Sequence, residues 1–144
     1  MKTMLRLEVA PKCGIYANSS FYSQPDIYDA IEKTRAIIEY HFKNVNNPRH
    51  PTPLSDTLFA SNLALNGVER DEVYYGFIDE AQFRAWFPND DILHEFHDVG
   101  VTLVCYEHAF RIDGNAQCAM PNLNTEKWRI SLARYLEYGI PLDE

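Results

Sequence analysis

The chain has 144 residues, an apolar fraction of 46% and a formal net charge of −8. That length suits one domain whose core needs no covalent staples. No apolar run is long enough for a membrane-spanning helix, and the acidity argues against direct grip on a phosphate backbone.

The first residues, Met1-Lys2-Thr3-Met4-Leu5-Arg6-Leu7-Glu8, alternate polar and apolar side chains, unlike the core of a signal peptide. Thr3 to Val9 reads as a strand, with Met4, Leu5, Leu7 and Val9 as its apolar positions. A loop rich in Ser, Asn and aromatics follows, and Pro25 suits the first turn of a helix. Ile27, Ile31, Thr34, Ile38 and His41 or Phe42 then recur at three- and four-residue steps, predicting a helix over about 25–43. Asn44 to Asp56 carries Pro48, Pro51 and Pro53 and reads as a long loop. Ser55 or Asp56 caps a short helix through Leu65, which Gly67 ends.

Glu72 to Ile78 is rich in strand formers, and the lone Gly76 marks a bulge or a close backbone approach. Asp79 caps the next helix with Gln82 as its capping-box partner, and Ile78 and Phe83 stand at staple positions. Pro88 ends it. A further short helix runs from Asp90, with Ile92, Leu93 and Phe96 on one side and Gly100 as terminator. Val101–Glu107 and Ala116–Met120 read as strands joined through an Asp113-Gly114-Asn115 turn. Thr125 opens a last helix with Trp128, Leu132, Tyr135 and Leu136 as its stripe, closed by Gly139 and Pro141. About four mostly antiparallel strands and four to five helices in irregular order predict a single compact α+β domain over residues 1–144.

Charge is unevenly placed. Residues 69–107 hold ten acids, Glu69, Asp71, Glu72, Asp79, Glu80, Asp90, Asp91, Glu95, Asp98 and Glu107, against Arg70 and Arg84. That segment carries the whole net charge. It suits a protein partner with a basic surface, or a nucleic-acid mimic, and not nucleic acid itself or a membrane. Asn47-Pro48-Arg49-His50-Pro51 adds a cation and a titratable ring on a proline-stiffened loop, where Arg49 can meet a carboxylate or phosphate. Nineteen aromatic residues leave room for an interface with another protein or with a second copy.

Chemistry-bearing motifs are weak. His94 and His97 share a helix face, but their spacing is not that of zinc proteases, and no metal is expected. Cys105 and His108 point to opposite sides of a strand, so they form no nucleophile pair. Three cysteines at scattered spacing, Cys13, Cys105 and Cys118, fit reduced thiols in the cytoplasm and not a disulfide framework. No phosphate-cradling glycine loop is present, and no cofactor is expected.

Two resemblances add to this reading. The run Tyr75-Gly76-Phe77 to Trp86-Phe87, then Leu93-His94, Val99-Gly100-Val101 and Tyr106-Glu107, resembles small phage and prophage proteins with a G-F-x-x-x-x-Q-[LF]-x-x-W-F segment, a group with no established activity. That likeness implies a phage protein that binds and inhibits or modulates a host protein, in host takeover or counter-defence, without catalysis. The charge distribution, not the likeness, supplies the expected contact residues of such a protein: Arg49, His50, Glu69, Asp71, Glu72, Asp90, Asp91, Glu95 and Asp98.

The layout also resembles ADP-ribosyltransferase folds, with Arg6 in the first strand, Tyr75 in a middle strand and Gln117 in a late one. This second likeness implies a nucleotide or NAD pocket in which Arg6 meets the pyrophosphate or ribose and Tyr75 stacks on a ring. Gln117 stands where such enzymes carry a carboxylate. A neutral amide hydrogen-bonds but supplies no charge to the reacting carbon, so the implied pocket binds without transferring.

Overall fold

The structure is a computed structural model and describes residues 1–15, 24–41, 56–69 and 73–141. Its described residues form seven strands and five helices in α+β order. The strands are β1 (Lys2–Ala10), β2 (Cys13–Gly14), β3 (Tyr74–Gly76), β4 (Thr102–His108), β5 (Ile112–Asp113), β6 (Cys118–Met120) and β7 (Glu126–Ser131). The helices are α1 (Pro25–His41), α2 (Thr57–Leu65), α3 (Glu80–Trp86), α4 (Asp90–Asp98) and α5 (Leu132–Tyr138). One sheet has the order β2-β1-β4-β7 and the other β3-β6-β5, with β1–β2, β3–β6 and β5–β6 antiparallel. The chain divides into two compact units, Met1–Arg6, Asn44–Pro88 and Cys105–Trp128 in the first, Leu7–Lys43, Asn89–Val104 and Arg129–Glu144 in the second.

In the first unit, Phe59 and Leu63 of α2 bury against Ile112 of β5 and Ala119 of β6, with Val68, Val73 and Tyr75 packed alongside. Asp56 caps α2 and does more. Its carboxylate accepts the N–H of Phe59 at 3.2 Å, of Asn115 at 3.0 Å and of Ala116 at 2.8 Å, so the β5–β6 turn hangs on the helix N-terminus. Gly114 in that turn allows the approach, since a Cβ there would lie 2.4 Å from Phe59 Cβ.

The anticipated close approach at Gly76 is also present. Leu5 and Phe77 exchange backbone bonds at 2.7 and 2.8 Å, and a Cβ on Gly76 would sit 2.4 Å from the Leu5 carbonyl oxygen. Asp79 caps α3 by accepting the Gln82 N–H at 2.8 Å, and the Gln82 amide oxygen accepts from Ile78 N–H at 2.9 Å. The Phe77 ring lies 5.6 Å from that of Phe83 and 5.5 Å from that of Trp86.

In the second unit, α4 packs against α1 and α5. Glu8 is buried, and its carboxylate accepts from Arg129 Nη2 at 2.8 Å and from the Lys12 N–H at 3.0 Å. Arg129 Nη1 also donates to Thr102 Oγ1 at 3.0 Å, so a buried acid is paired and bonded as its desolvation demands. Lys12 has φ 65°, which closes the tight β1–β2 turn.

Three sequence expectations are corrected. Residues 13–14 form a strand, not part of a loop. β6 pairs with β5 and β3, whereas β4 lies between β1 and β7 in the other sheet, so the expected β4–β6 hairpin is a β5–β6 hairpin. Residues 126–131 are strand, and the last helix starts only at Leu132 with Ser131 as its cap. Trp128 falls in a two-residue period with Ile130 as well as in a helical one with Leu132, and pairing beside β4 decides between them.

Candidate functional site

Four of the acids singled out by the sequence, Asp90, Asp91, Glu95 and Asp98, lie on α4. Asn89 Oδ1 accepts the Asp91 N–H at 2.8 Å and starts the helix. Ile92, Leu93 and Phe96, at helical spacing, are buried. Asp91, Glu95 and Asp98 recur at intervals of four and three residues on the opposite side, and all three are exposed, as are Asp90 and His94. The helix closes with Gly100 at φ 91°, its N–H donating to His97 O at 3.0 Å, while the Val101 N–H donates to Phe96 O at 3.0 Å.

Helix electrostatics separate these acids. Asp90 and Asp91 stand in the first turn, where the positive end of the helix dipole favours them. Asp98 stands in the last turn, where the exposed carbonyl ends disfavour an anion. Its charge therefore opposes the helix that carries it.

Glu95 pairs through Oε2 with Nε2 of His41 at the end of α1, yet its side chain stays 47% exposed. The Tyr40 ring meets the His41 ring edge-on at 5.1 Å and is itself 72% exposed. An aromatic side chain thus borders the acidic stripe, a neighbour that the sequence pattern did not single out. The helical period of α1 placed His41 on its inner face but gave no register between α1 and α4.

Other candidate residues are dispersed. Glu69 is exposed in the first unit, and Arg49, His50, Asp71 and Glu72 lie outside the described residues. Arg6 Nη1 donates to the Tyr75 carbonyl at 2.8 Å, and its guanidinium carbon lies 5.8 Å from the Tyr74 ring centre. The Tyr75 ring packs 5.8 Å from that of Phe59. Gln117 is 4% exposed, and its carbonyl accepts the Gly114 N–H at 2.8 Å. Arg6 and Tyr75 thus meet through a main-chain carbonyl, with the tyrosine ring turned to the core cluster.

His94 is exposed and His97 half-buried on α4. Among the described residues, no group of three or more His, Cys, Asp or Glu side chains is placed to hold a metal ion. None of the three cysteines forms a disulfide, and all are buried. Burial pushes the Cys118 thiol far up from its ordinary 9.0, so it stays protonated. Arg111 forms a two-bond pair with Asp113 and donates to Thr3 O at 2.6 Å; the Asp113 hydrogen bond is the largest cause raising its pKa. Among the described residues, no helix is long and apolar enough to cross a membrane.

No curated protein and no solved structure matches the chain. A family model described as Bacteriophage T4 Y00F protein matches residues 1–131. That match spans both sheets and four of the five helices, and the chain belongs to the Bacteriophage T4 Y00F protein family.

Proposed function

We propose that this phage protein acts by binding a host protein through the acidic face of α4, modulating or inhibiting it without catalysis. Asp98 carries the reading. An exposed acid in the last turn lowers helix stability by about 0.3–1 kcal/mol, and a contact outside the chain gives that charge a use. Asp91 and Glu95 extend the same stripe, and Tyr40 beside it offers an aromatic contact of the kind enriched at interfaces. The partner that fits is a protein with a basic surface. Electrostatic complementarity of this sort speeds encounter and weakens with salt.

The test is affinity capture from a bacterial lysate with the natural chain and with an Asp91→Asn, Glu95→Gln, Asp98→Asn variant. The expected result is a protein retained by the natural chain, released by raised salt and missing from the variant. A partner retained equally by both chains would remove α4 from the interface.

A further inference from the structure

We infer that Asn66 is a site of spontaneous covalent modification, and that the turn closing α2 controls its rate. Asn66-Gly67 is the only place in the chain where glycine follows asparagine. Every other asparagine precedes a residue with a side chain, which crowds the following amide nitrogen. Both residues are exposed, and nothing lies within 4 Å of the position a Gly67 Cβ would take.

The chemistry needs only water. The Gly67 amide nitrogen gives up its proton and bonds to Asn66 Cγ. The Cγ–Nδ2 bond breaks, and the leaving NH2 group takes up, through water, a proton equal to the one the Gly67 nitrogen lost and departs as ammonia. The resulting five-membered imide then takes up water at either carbonyl. One opening gives aspartate and the other isoaspartate, which carries an extra methylene in the main chain. No electrons are transferred.

The fold restrains both reacting groups. The Gly67 N–H donates to Ala64 O at 3.1 Å, and Asn66 Nδ2 donates to Asn62 O at 2.7 Å. The Val68 N–H donates to Leu63 O at 3.0 Å, and Val68 packs on the cluster that contains Leu63. This pair of bonds with its apolar contact is a Schellman closure, and Gly67 at φ 65° completes it. The nucleophile and the leaving group, just past the end of a nine-residue helix, are both tied to carbonyls of its last turn. Cyclisation must therefore wait for that turn to open, an event far less costly than global unfolding. The product cannot close again in the same way. It places a carboxylate at the negative end of the α2 dipole and loses the amide donor to Asn62.

The experiment incubates the purified full chain in mildly alkaline buffer, with and without denaturing urea, and maps peptides by mass and by isoaspartate content. Asn66 is expected to convert first among the asparagines, to mixed aspartate and isoaspartate, and faster in urea than in the native state. Val68→Ala, which loosens the closure, is expected to raise the native rate several-fold and leave the rate in urea unchanged. Equal native rates in the natural and Val68→Ala chains would overturn the control by the turn. Earlier conversion at another asparagine, or aspartate without isoaspartate, would overturn the site itself.

Discussion

Asp56 shows how one side chain can organise a unit. It is 4% exposed and satisfies three main-chain donors drawn from two elements far apart in sequence. Removing it leaves one buried and two partly buried donors without their acceptor and uncaps α2 as well. Asp56→Ala is expected to lower stability by about 2–4 kcal/mol in urea unfolding, more than the cap alone would account for. Cys118 offers a test of burial by pH. Below its ordinary value of 9.0 the thiol is protonated in both the folded and the unfolded chain, so it adds no pH dependence. Above 9.0 the unfolded chain releases a proton that the folded chain retains, and stability falls as pH rises, by up to about 1.4 kcal/mol per pH unit. In Cys118→Ala that contribution is gone. The stability gap between the two chains is expected to narrow as the pH of the unfolding experiment is raised beyond 9.0.

At the scale of elements, the β7–α5 junction distinguishes two foldings of the same residues. Ser131 Oγ accepts the Arg134 N–H at 3.1 Å, so the cap of the last helix is Ser131 and not Thr125. Ser131→Ala is expected to destabilise by about 1 kcal/mol in chemical unfolding, while Thr125→Ala leaves that helix untouched. The reverse result would restore a helix beginning at 125. This junction also marks where the sequence stops being legible. Caps and terminators are local chemistry: Asp79, Gly67 and Gly100 could each be assigned from neighbouring residues, and the cap of α2 narrowed to Ser55 or Asp56, of which Asp56 takes the role. Strand partners are not local. Nothing near Cys118 says that it faces Gly76 and Asp113, or that β4 lies between β1 and β7. The two-residue strands β2 and β5 are too short to show a period at all. The candidate site follows the same division. The acids of α4 are countable from sequence and their shared face follows from helical spacing. The placement of His41 and Tyr40 beside Glu95 comes from the packing of two helices fifty residues apart.

Across the whole molecule, a net charge of −8 costs the compact state some self-repulsion while favouring encounter with basic partners. Repulsion alone would make every acid on α4 equivalent, and the helix dipole breaks that equivalence. Asp90 lies in the first turn and Asp98 in the last, on exposed surface in both cases. Asp90→Asn removes a favourable charge–dipole term and is expected to lower stability by about 0.3–1 kcal/mol. Asp98→Asn removes an unfavourable one and is expected to raise stability by about the same amount. The same change of one charge thus moves thermal unfolding in opposite directions at the two ends of one helix. Binding should not follow that sign. If the acidic face meets a basic partner, both substitutions weaken capture and flatten its salt dependence, because each removes one charge from the field. An Asp98→Asn chain that is more stable and binds less well would separate what this acid does for a partner from what it does to the fold. Unchanged capture with raised stability would leave Asp98 as an unfavourable surface charge with no contact to account for it.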